Sequence, residues 1–303
     1  MIERVEAVEF VRRMRGGSQS QLVRCSNGGY YIVKFQNNPQ GKRVLVNELI
    51  ATLLGKHLGL PVAEVAIVNV RESLIRYTED AVVQLEGGRT PYQHGLCFGS
   101  RLIGDTDRHG HLCHGVLPDF AQDRITNLRD FVGMLVFDTW ACNVDNRQAV
   151  LMPEPEGNHL MAVMIDNGNC FNGSKWTLPD RPTSGLVCGG RVYHNVESID
   201  DFDPWLSKLE RETDISVLRR IGEMVPEDWY DGDKDSLDRL LFELQYRCKT
   251  VRSLLRRTIR RRPSEFPRFW SSRNERVALP LFPVTPLRSE GRRQYNAALR
   301  NRG

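Results

Sequence analysis

The sequence lacks paired cysteines, long apolar runs and a leader-like segment. Its cysteines stand singly, with no C-x-x-C pair, at Cys25, Cys97, Cys113, Cys142, Cys170, Cys188 and Cys248. An odd, unpaired set of thiols argues against a disulfide framework and indicates a reducing compartment. The longest apolar run, Leu160–Ile165, is too short to span a membrane. Residues 1–17 are charged throughout and have no apolar core typical of a signal peptide. These absences predict a cytoplasmic protein that does not associate with membranes.

Extremes of composition are also missing. The chain has 303 residues, of which 40% are hydrophobic and 26% charged, and its net charge is +4. These values exclude collagen-like, coiled-coil and mostly disordered proteins. A chain of this length predicts either one large domain or two lobes.

The charge is unevenly distributed along the chain. Residues 263–303 contain eight Arg, no Lys and three Glu, together with five Pro, so this segment carries +5. It predicts an extended basic tail. Such a tail can bind nucleic acid or an acidic surface, or it can simply be solvated or packed on the main body. No nucleic-acid-binding motif accompanies it.

The first hundred residues predict strands around one helix. An Asn-Gly turn within residues 26–29 separates two extended runs and indicates a hairpin. The predicted strands cover residues 5–14, 21–25, 30–36, 62–70 and 81–85, and the predicted helix covers residues 42–58. Together they predict a small antiparallel sheet with one packed helix.

The rest of the chain predicts a connector followed by a mainly helical region. Residues 96–103 are interpreted as the connector, and residues 131–142 have the apolar density of a buried helix. Two short strands, 149–152 and 160–165, predict a hairpin. Residues 200–262 predict helices, with one element running through apolar positions from Leu237 to Leu255. The predicted units are therefore residues 1–103, 104–262 and 263–303.

Two charged residues interrupt apolar elements near the start of the chain. Strand alternation places Tyr31, Val33 and Phe35 on one face and Lys34 on the other. Glu48 lies within an apolar helical stripe, and a buried acid usually has a cationic partner, for which Lys34 is the nearest candidate. The alternatives are an edge-strand Lys that reaches solvent and an ordinary surface Glu. The glycine-containing loop at residues 15–20 precedes this pair and could approach phosphates closely with its backbone.

Two aspartates follow the predicted buried helix. Asp145 lies in a polar loop just before the hairpin, and Asp166 lies where the hairpin ends, in Asp-Asn-Gly. Phosphoryl transfer needs one carboxylate to orient the attacking hydroxyl and another to hold Mg²⁺ against the phosphates. The alternatives are a loop-capping Asp and ordinary turn chemistry. The sequence has no nucleophile elbow of a Ser-His-Asp hydrolase and no dinucleotide-binding fingerprint.

In this order the pieces resemble the HipA-like kinases, which are relatives in fold of the protein kinases and phosphatidylinositol kinases. The resemblance covers about residues 5–260 and is closest to a stand-alone bacterial branch. It is carried by RRMRGGSQSQLV, YYIVKFQNNPQGKRVLVNELIA, FGSR, FDTWACNVDNRQ, MIDNGNCF and PEDWY. It implies a two-lobed α+β protein-kinase-like fold, with a small antiparallel β lobe and a mainly helical C-terminal lobe. ATP would bind between the lobes, with Mg²⁺ as the metal cofactor.

The resemblance also implies roles for individual residues. Lys34 matches the phosphate-binding Lys, Glu48 its helix partner, Asp145 the catalytic Asp and Asp166 the metal-binding Asp. The loop that would cover the phosphates consists of Gly16, Gly17, Ser18, Gln19 and Ser20. The residues that would lie near the adenine-binding hinge are Phe98, Gly99 and Ser100.

One position departs from the family pattern. Related kinases carry an Asn five residues after the catalytic Asp, as a second metal ligand, and this chain has Val150 there. Gln148 or Asn143 could supply a carboxamide oxygen instead. Arg147 stands where related sequences often have His, and it could contact the substrate or the Asp145 loop, or pair structurally with a nearby acid.

These features predict an ATP- and Mg²⁺-dependent phosphotransferase that acts on a protein Ser or Thr. The departure at Val150 leaves open a nucleotide-binding pseudokinase that regulates a partner. A kinase for a small molecule or a lipid is a third possibility, because the same lobes serve both kinds of acceptor.

Residues 104–109, which follow the predicted connector, superficially resemble a catalytic Asp-Arg-His segment. Residues 104–109 read Gly-Asp-Thr-Asp-Arg-His, but no strand ending in Asp-x-Gly follows closely, so they are interpreted as an insertion loop. His109, His111, Cys113 and His114 could in principle bind zinc, yet their spacing matches no common zinc site.

Overall fold

A computed structural model describes residues 2–104, 110–181, 183, 185–189 and 191–270. The strands are β1 (Glu3–Arg13), β2 (Gln21–Cys25), β3 (Tyr30–Lys34), β4 (Val65–Val70), β5 (Val82–Leu85), β6 (Gly88–Pro91), β7 (Gly95–Arg101), β8 (His111–His114), β9 (Gln148–Pro153) and β10 (Leu160–Ile165). The helices are α1 (Arg43–His57), α2 (Glu72–Arg76), α3 (Asp130–Ala141), α4 (Trp205–Glu212), α5 (Ile215–Gly222), α6 (Lys234–Cys248) and α7 (Val251–Arg261). None of the helices described combines the length and apolar character needed to cross a membrane.

The small lobe is a five-stranded closed barrel with the strand order β1-β2-β3-β7-β4. Its interior is apolar and includes Tyr31, Val33 and Phe35, the face that strand alternation predicts. The barrel closes through a parallel pairing of β1 with β4, in which Glu3 lies opposite Ala66. The other four pairings of the barrel are antiparallel, as predicted for the small sheet, and the prediction is corrected for this pairing alone. Closure removes the two free edges that an open sheet of these strands would have.

The predicted connector at residues 96–103 is wrong, because most of it forms β7. This strand pairs with β3 on one side and with β4 on the other, so it is central to the barrel. Gly99 explains how it fits, since a Cβ at this position would lie 2.5 Å from Cγ2 of Val68 inside the barrel. The chain leaves the small lobe only after Arg101.

Helix α1 packs on the outside of the barrel and is buried along most of its length. Val44, Leu45, Leu49 and Ile50 have almost no exposed surface. Leu45, Leu49 and Ile50 belong to an apolar core that also includes residues of α3, α5, α6 and α7. The helix is therefore shared between the small lobe and the large lobe, which the structure describes from residue 110 onward.

The large lobe contains α3, a three-stranded sheet in the order β10-β9-β8, and the C-terminal helices. The predicted hairpin is confirmed as β9 and β10, in which Val150 pairs with Val163. Strand β8 falls in a segment that was predicted to be a loop, because only Cys113 of its four residues is buried. The apolar repeat from Leu237 to Leu255 was predicted as one helix, but it forms two helices that meet at Lys249–Thr250.

Candidate active site

Three charged side chains from three elements meet between the two lobes. Nζ of Lys34, at the end of β3, lies 2.5 Å from Oε1 of Glu48 on α1 and 2.8 Å from Oδ1 of Asp166, which follows β10. Lys34 and Glu48 are buried, whereas about a third of the Asp166 side chain is exposed. The structure thus brings together the amine and two of the carboxylates that the sequence predicts.

The charges in this cluster stabilise the ammonium form of Lys34 and the carboxylate form of Asp166. Burial alone would lower the pKa of Lys34, but the facing charges of Glu48 and Asp166 raise it above its ordinary value. Burial acts to raise the pKa of Asp166, yet the Lys34 ammonium holds it below the usual range. Burial raises the pKa of Glu48. Lys34 therefore keeps its charge, and Asp166 is ionised at neutral pH.

The turn after Asp166 fits closely against this cluster. The backbone N–H of Asn167 donates to Oε2 of Glu48 at 3.0 Å. A Cβ at Gly168 would lie 2.7 Å from Cγ1 of Val44 and 3.2 Å from Oε1 of Glu48. Only a glycine allows the chain to pass so near the Lys34–Glu48 pair without a shift of its neighbours.

Asp145 lies on a loop between α3 and β9 with its side chain partly open to solvent. Its Oδ2 accepts a hydrogen bond from Asn169 at 3.1 Å, and its Oδ1 accepts one from the backbone N–H of Asn146 at 2.8 Å. Nε2 of His114 on β8 lies 3.9 Å from Oδ1. The carboxylate is thus oriented by fixed donors while 39% of the side chain remains exposed. This arrangement suits a group that must accept a proton from a bound molecule.

Arg147 pairs structurally with a nearby acid, which is one of the alternatives that the sequence left open. Its side chain has no exposed surface and forms a buried ion pair with Asp138 of α3. It also donates to the backbone carbonyl of Ile165 and to Oδ1 of Asn167, at 2.8 and 2.9 Å. The prediction that Arg147 contacts substrate is therefore corrected: the guanidinium ties the Asp145 loop to the turn that carries Asp166.

The two candidate substitutes for the missing metal ligand differ in their surroundings. Asn143 is fully buried, and its carboxamide donates to Asp138 and accepts from the N–H of Asp145, so it is not free for a metal. Gln148 donates from Nε2 to Oδ2 of Asp166 at 2.7 Å. This hydrogen bond leaves Oε1 of Gln148 available as a metal ligand next to the Asp166 carboxylate. Val150 lies two residues further along β9 and pairs with Leu112 of β8.

These residues fit Mg²⁺. The ion is usually held by one or two carboxylates, with waters and substrate phosphates completing its shell. Asp166 would supply the carboxylate and Gln148 a neutral oxygen at the open side of the cluster. A protein cage of several acidic ligands is not required.

The predicted phosphate loop connects β1 to β2. It is closed by hydrogen bonds from Met14 N to Ser20 O and from Gln19 N to Gly16 O. The side chain of Gln19 turns away and pairs with the backbone of Gln84 in β5, at 2.7 and 2.8 Å. The backbone carbonyl of Ser18 accepts a hydrogen bond from Nδ2 of Asn38 at 3.2 Å, and a Cβ at Gly17 would lie 3.5 Å from Nε2 of Gln40, so the loop contacts the segment that precedes α1. Ser20 is buried and the Gln19 side chain is engaged, which leaves the backbone of the loop and the Ser18 side chain as the groups that could face a ligand.

The predicted hinge residues lie in β7. Phe98 pairs with Lys34 and shares its face of the sheet, and Ser100 pairs with Ile32 on that same face. Gly99 faces the barrel interior. Phe98 and Ser100 thus lie on the side of the sheet that carries Lys34.

The histidine-rich segment does not gather into a metal site within the part of the chain that the structure describes, since no three His, Cys, Asp or Glu side chains meet there. Cys113 is buried, while His111 and His114 are exposed. His109 and the Asp-Arg-His motif at residues 105–109 lie outside the described residues.

Several polar residues of the site were missed by the sequence reasoning. Asn47 is fully buried, and its Nδ2 lies within 3.1 Å of the carbonyls of Gly168, Cys170 and Gly173. Its Oδ1 accepts a hydrogen bond from Nε1 of Trp176 at 2.8 Å. A signal existed, because Asn47 interrupts the apolar face of α1 just as Glu48 does. Asn169 gave no signal that the sequence alone separates from ordinary loop polarity, and His114 was considered only as a possible zinc ligand.

Comparisons with known proteins show the family of the chain. Residues 7–171 match the family described as HipA-like kinase. A search of curated proteins finds no significant sequence match.

Solved structures resemble the chain at low sequence identity. The Helicobacter pylori proinflammatory kinase CtkA superposes with a TM-score of 0.50 at 12% identity, covering 82% of this chain and 98% of that one. The Golgi casein kinase solved with Mn/ADP gives a TM-score of 0.48 at 12% identity, with 86% and 74% covered. HipA of Shewanella oneidensis, in a complex with HipB and operator DNA, gives 0.37 at 13% identity, with 82% and 67% covered. The likeness to CtkA shows a kinase-like fold.

Proposed function

Because the chain belongs to the HipA-like kinase family, we propose that it is an ATP- and Mg²⁺-dependent phosphotransferase acting on a Ser or Thr hydroxyl of a protein. The observation that carries this proposal is the position of Lys34 between Glu48 and Asp166. An ammonium group held by one buried acid, beside a second acid that is partly open, is the arrangement needed to bind phosphates and a metal together.

Each residue then has a distinct task. Lys34 neutralises phosphate oxygens, and Glu48 fixes the direction of its ammonium group. Asp166 and Gln148 would hold Mg²⁺, which supplies charge stabilisation to the transferring phosphoryl group. Asp145 orients the acceptor hydroxyl and takes its proton. The donors from Asn169 and Asn146 keep that carboxylate in place.

The location of the protein is part of the same proposal. The cysteines of the described chain are all free, and only Cys188 is not buried. Burial raises the pKa of Cys25 and Cys97 to about 12. Free, protonated thiols suit a reducing compartment, which supports a cytoplasmic site of action.

The proposal is tested by replacing the acids one at a time. Asp145→Asn is expected to lower ATP turnover and phosphotransfer by about 100-fold or more, because it removes the proton acceptor while it preserves shape. Nucleotide affinity should stay within about twofold of the wild type. Such a change is small, because a tenfold change in affinity corresponds to about 1.4 kcal/mol of binding free energy. Asp166→Asn should instead weaken Mg²⁺-dependent binding of ADP in a calorimetric titration. Glu212→Gln, an exposed carboxylate at the end of α4, is the matched control. Equal phosphotransfer by Asp145→Asn and the control would end the catalytic assignment.

A nucleotide-binding pseudokinase is the second candidate, and Val150 is the observation that favours it. If Gln148 cannot complete the metal shell, the chain would bind ATP without transferring phosphate. Nucleotide binding without any loss of the γ-phosphate, to protein, lipid or small-molecule acceptors, would select this alternative.

A further inference from the structure

The basic charge of the chain is concentrated in its C-terminal part. Residues 250–303 contain 14 Arg, no Lys and three Glu, a net charge of +11, so residues 1–249 carry −7. The described part of this region begins with α7. Its apolar side chains, Val251, Leu254, Leu255 and Ile259, are all buried. The exposed side of the helix is therefore available for polar contacts.

That exposed side is almost entirely arginine. Arg252, Arg256 and Arg260 follow one another at intervals of four residues, so they line one side of the helix. Arg257 and Arg261 form a second row beside them. The exposed residues within the helix are Ser253, Arg260 and Arg261, whereas Arg252, Arg256 and Arg257 are half-buried. Among the residues of this helix that the structure describes, no exposed side chain is apolar or aromatic.

Carboxylates neutralise only part of this surface. Arg252 pairs with Glu210 at 2.6 Å, and Arg257 pairs with Asp180 at 2.7 Å. Within the described chain, no ion pair reaches Arg256, Arg260, Arg261 or Arg262. We call these four residues the α7 arginine surface. Three of them, Arg260, Arg261 and Arg262, are exposed.

We propose that the α7 arginine surface binds the phosphodiester backbone of a nucleic acid. Guanidinium groups bind phosphate in a bidentate manner, and a surface made only of Arg fits that chemistry better than a mixed Lys surface. A protein partner would need a buried aromatic or aliphatic anchor at the centre of its interface, and this face offers none. Interfaces with nucleic acids are polar and strongly positive instead.

The chain offers a matched control for this proposal. Arg219 and Arg220 stand in the last turn of α5, as Arg260 and Arg261 stand in the last turn of α7, and both pairs are exposed. A double Ala substitution at either place removes two charges from the end of a helix. The two variants therefore change the net charge and the helix dipole contacts equally, and they differ only in the surface affected.

The test measures binding of the full chain to a labelled DNA duplex and to an RNA of the same length by fluorescence anisotropy, without ATP. Between about 50 and 200 mM salt, the slope of log K against log salt should be smaller in R260A/R261A by about two, one for each lost phosphate contact. R219A/R220A should keep the wild-type slope. The DNA and RNA arms show which backbone is preferred, and unchanged thermal unfolding confirms that both variants fold.

Three results would overturn the proposal. The first is that neither nucleic acid binds at the lower salt concentration. The second is that both double variants lose affinity equally, which would mean that only net charge matters. The third is that poly-glutamate displaces the duplex at similar concentration, which would assign the surface to an acidic protein. Because no nucleotide or phosphotransfer enters the measurement, failure here leaves the proposed kinase activity untouched.

Discussion

Lys34 keeps its charge inside the protein because two carboxylates from different elements face it. Strand alternation alone places Lys34 opposite the apolar side of β3, and the helical stripe alone places Glu48 inward, so this pair could be predicted from the sequence. The contact with Asp166 does not follow from local patterns, since 132 residues separate the two side chains along the chain, and only the family resemblance implies it. It depends on how β10 is placed against the small lobe.

Gly168 is the residue whose replacement most directly probes this contact. In Gly168→Ala the new methyl group would collide with Val44 and press on Glu48. We expect a loss of about 1–3 kcal/mol in the free energy of unfolding, as is typical of an overpacked core. ATP affinity should fall as well, because the Lys34–Glu48 pair must shift. Gly87→Ala is the control, as its Cβ would meet nothing within 4 Å. Equal melting temperatures and nucleotide affinities for the two variants would contradict the expectation.

At the scale of elements, most helices and strands follow from local patterns and a few do not. α3 and the β9–β10 hairpin have dense apolar sequences that require burial, so their prediction needs no partner. β8 is a polar edge strand, and only its pairing with β9 makes it a strand. The break between α6 and α7 is also hidden, because both helices turn their apolar residues toward one core and the repeat continues through Thr250. Strand β8 and the break between α6 and α7 therefore depend on long-range packing and not on the local sequence.

The segment from Gly168 to Trp176 is attached to α1 chiefly through Asn47. One carboxamide serves three backbone carbonyls and an indole N–H. The guanidinium of Arg43 adds a stacking contact, 4.2 Å from the ring centroid of Trp176. An element with little regular structure is therefore held in a fixed position beside the site.

Replacing Asn47 should detach this segment. Asn47→Leu keeps a similar volume but leaves buried carbonyls and the Trp176 indole without a partner, which costs about 1–3 kcal/mol for each group. We expect faster hydrogen exchange in residues 168–176 and unchanged exchange in the barrel strands. Asn69→Leu, which removes hydrogen bonds to Glu6 on the barrel, is the comparison. Similar exchange patterns in both variants would contradict the role of Asn47.

At the scale of the whole molecule, the two lobes share contacts beyond the site. Lys42 and Arg43 at the start of α1 form ion pairs with Asp231 and Asp233, at 2.5 and 2.7 Å. Exposed pairs of this kind contribute little stability each. The buried indole of Trp229 donates to the carbonyl of Leu96 in β7 at 2.9 Å, so a residue of the large lobe is anchored on the barrel. With α1 inside the common core, the lobes cannot separate without exposing apolar surface.

We therefore expect the two lobes to unfold in one step. Because Trp229 connects them, its replacement should shift the midpoint of that transition. Trp229→Ala removes a fully buried side chain, which we expect to cost about 3–5 kcal/mol. The tryptophans all lie at or beyond position 140, so their fluorescence reports on the large lobe, while hydrogen exchange in β1–β4 and β7 reports on the barrel. Both signals should shift together in Trp229→Ala and stay in place in Tyr77→Ala, whose ring is 84% exposed. If the barrel kept its wild-type stability while the fluorescence transition moved, the lobes would be independent folding units and the shared core around α1 would not couple them.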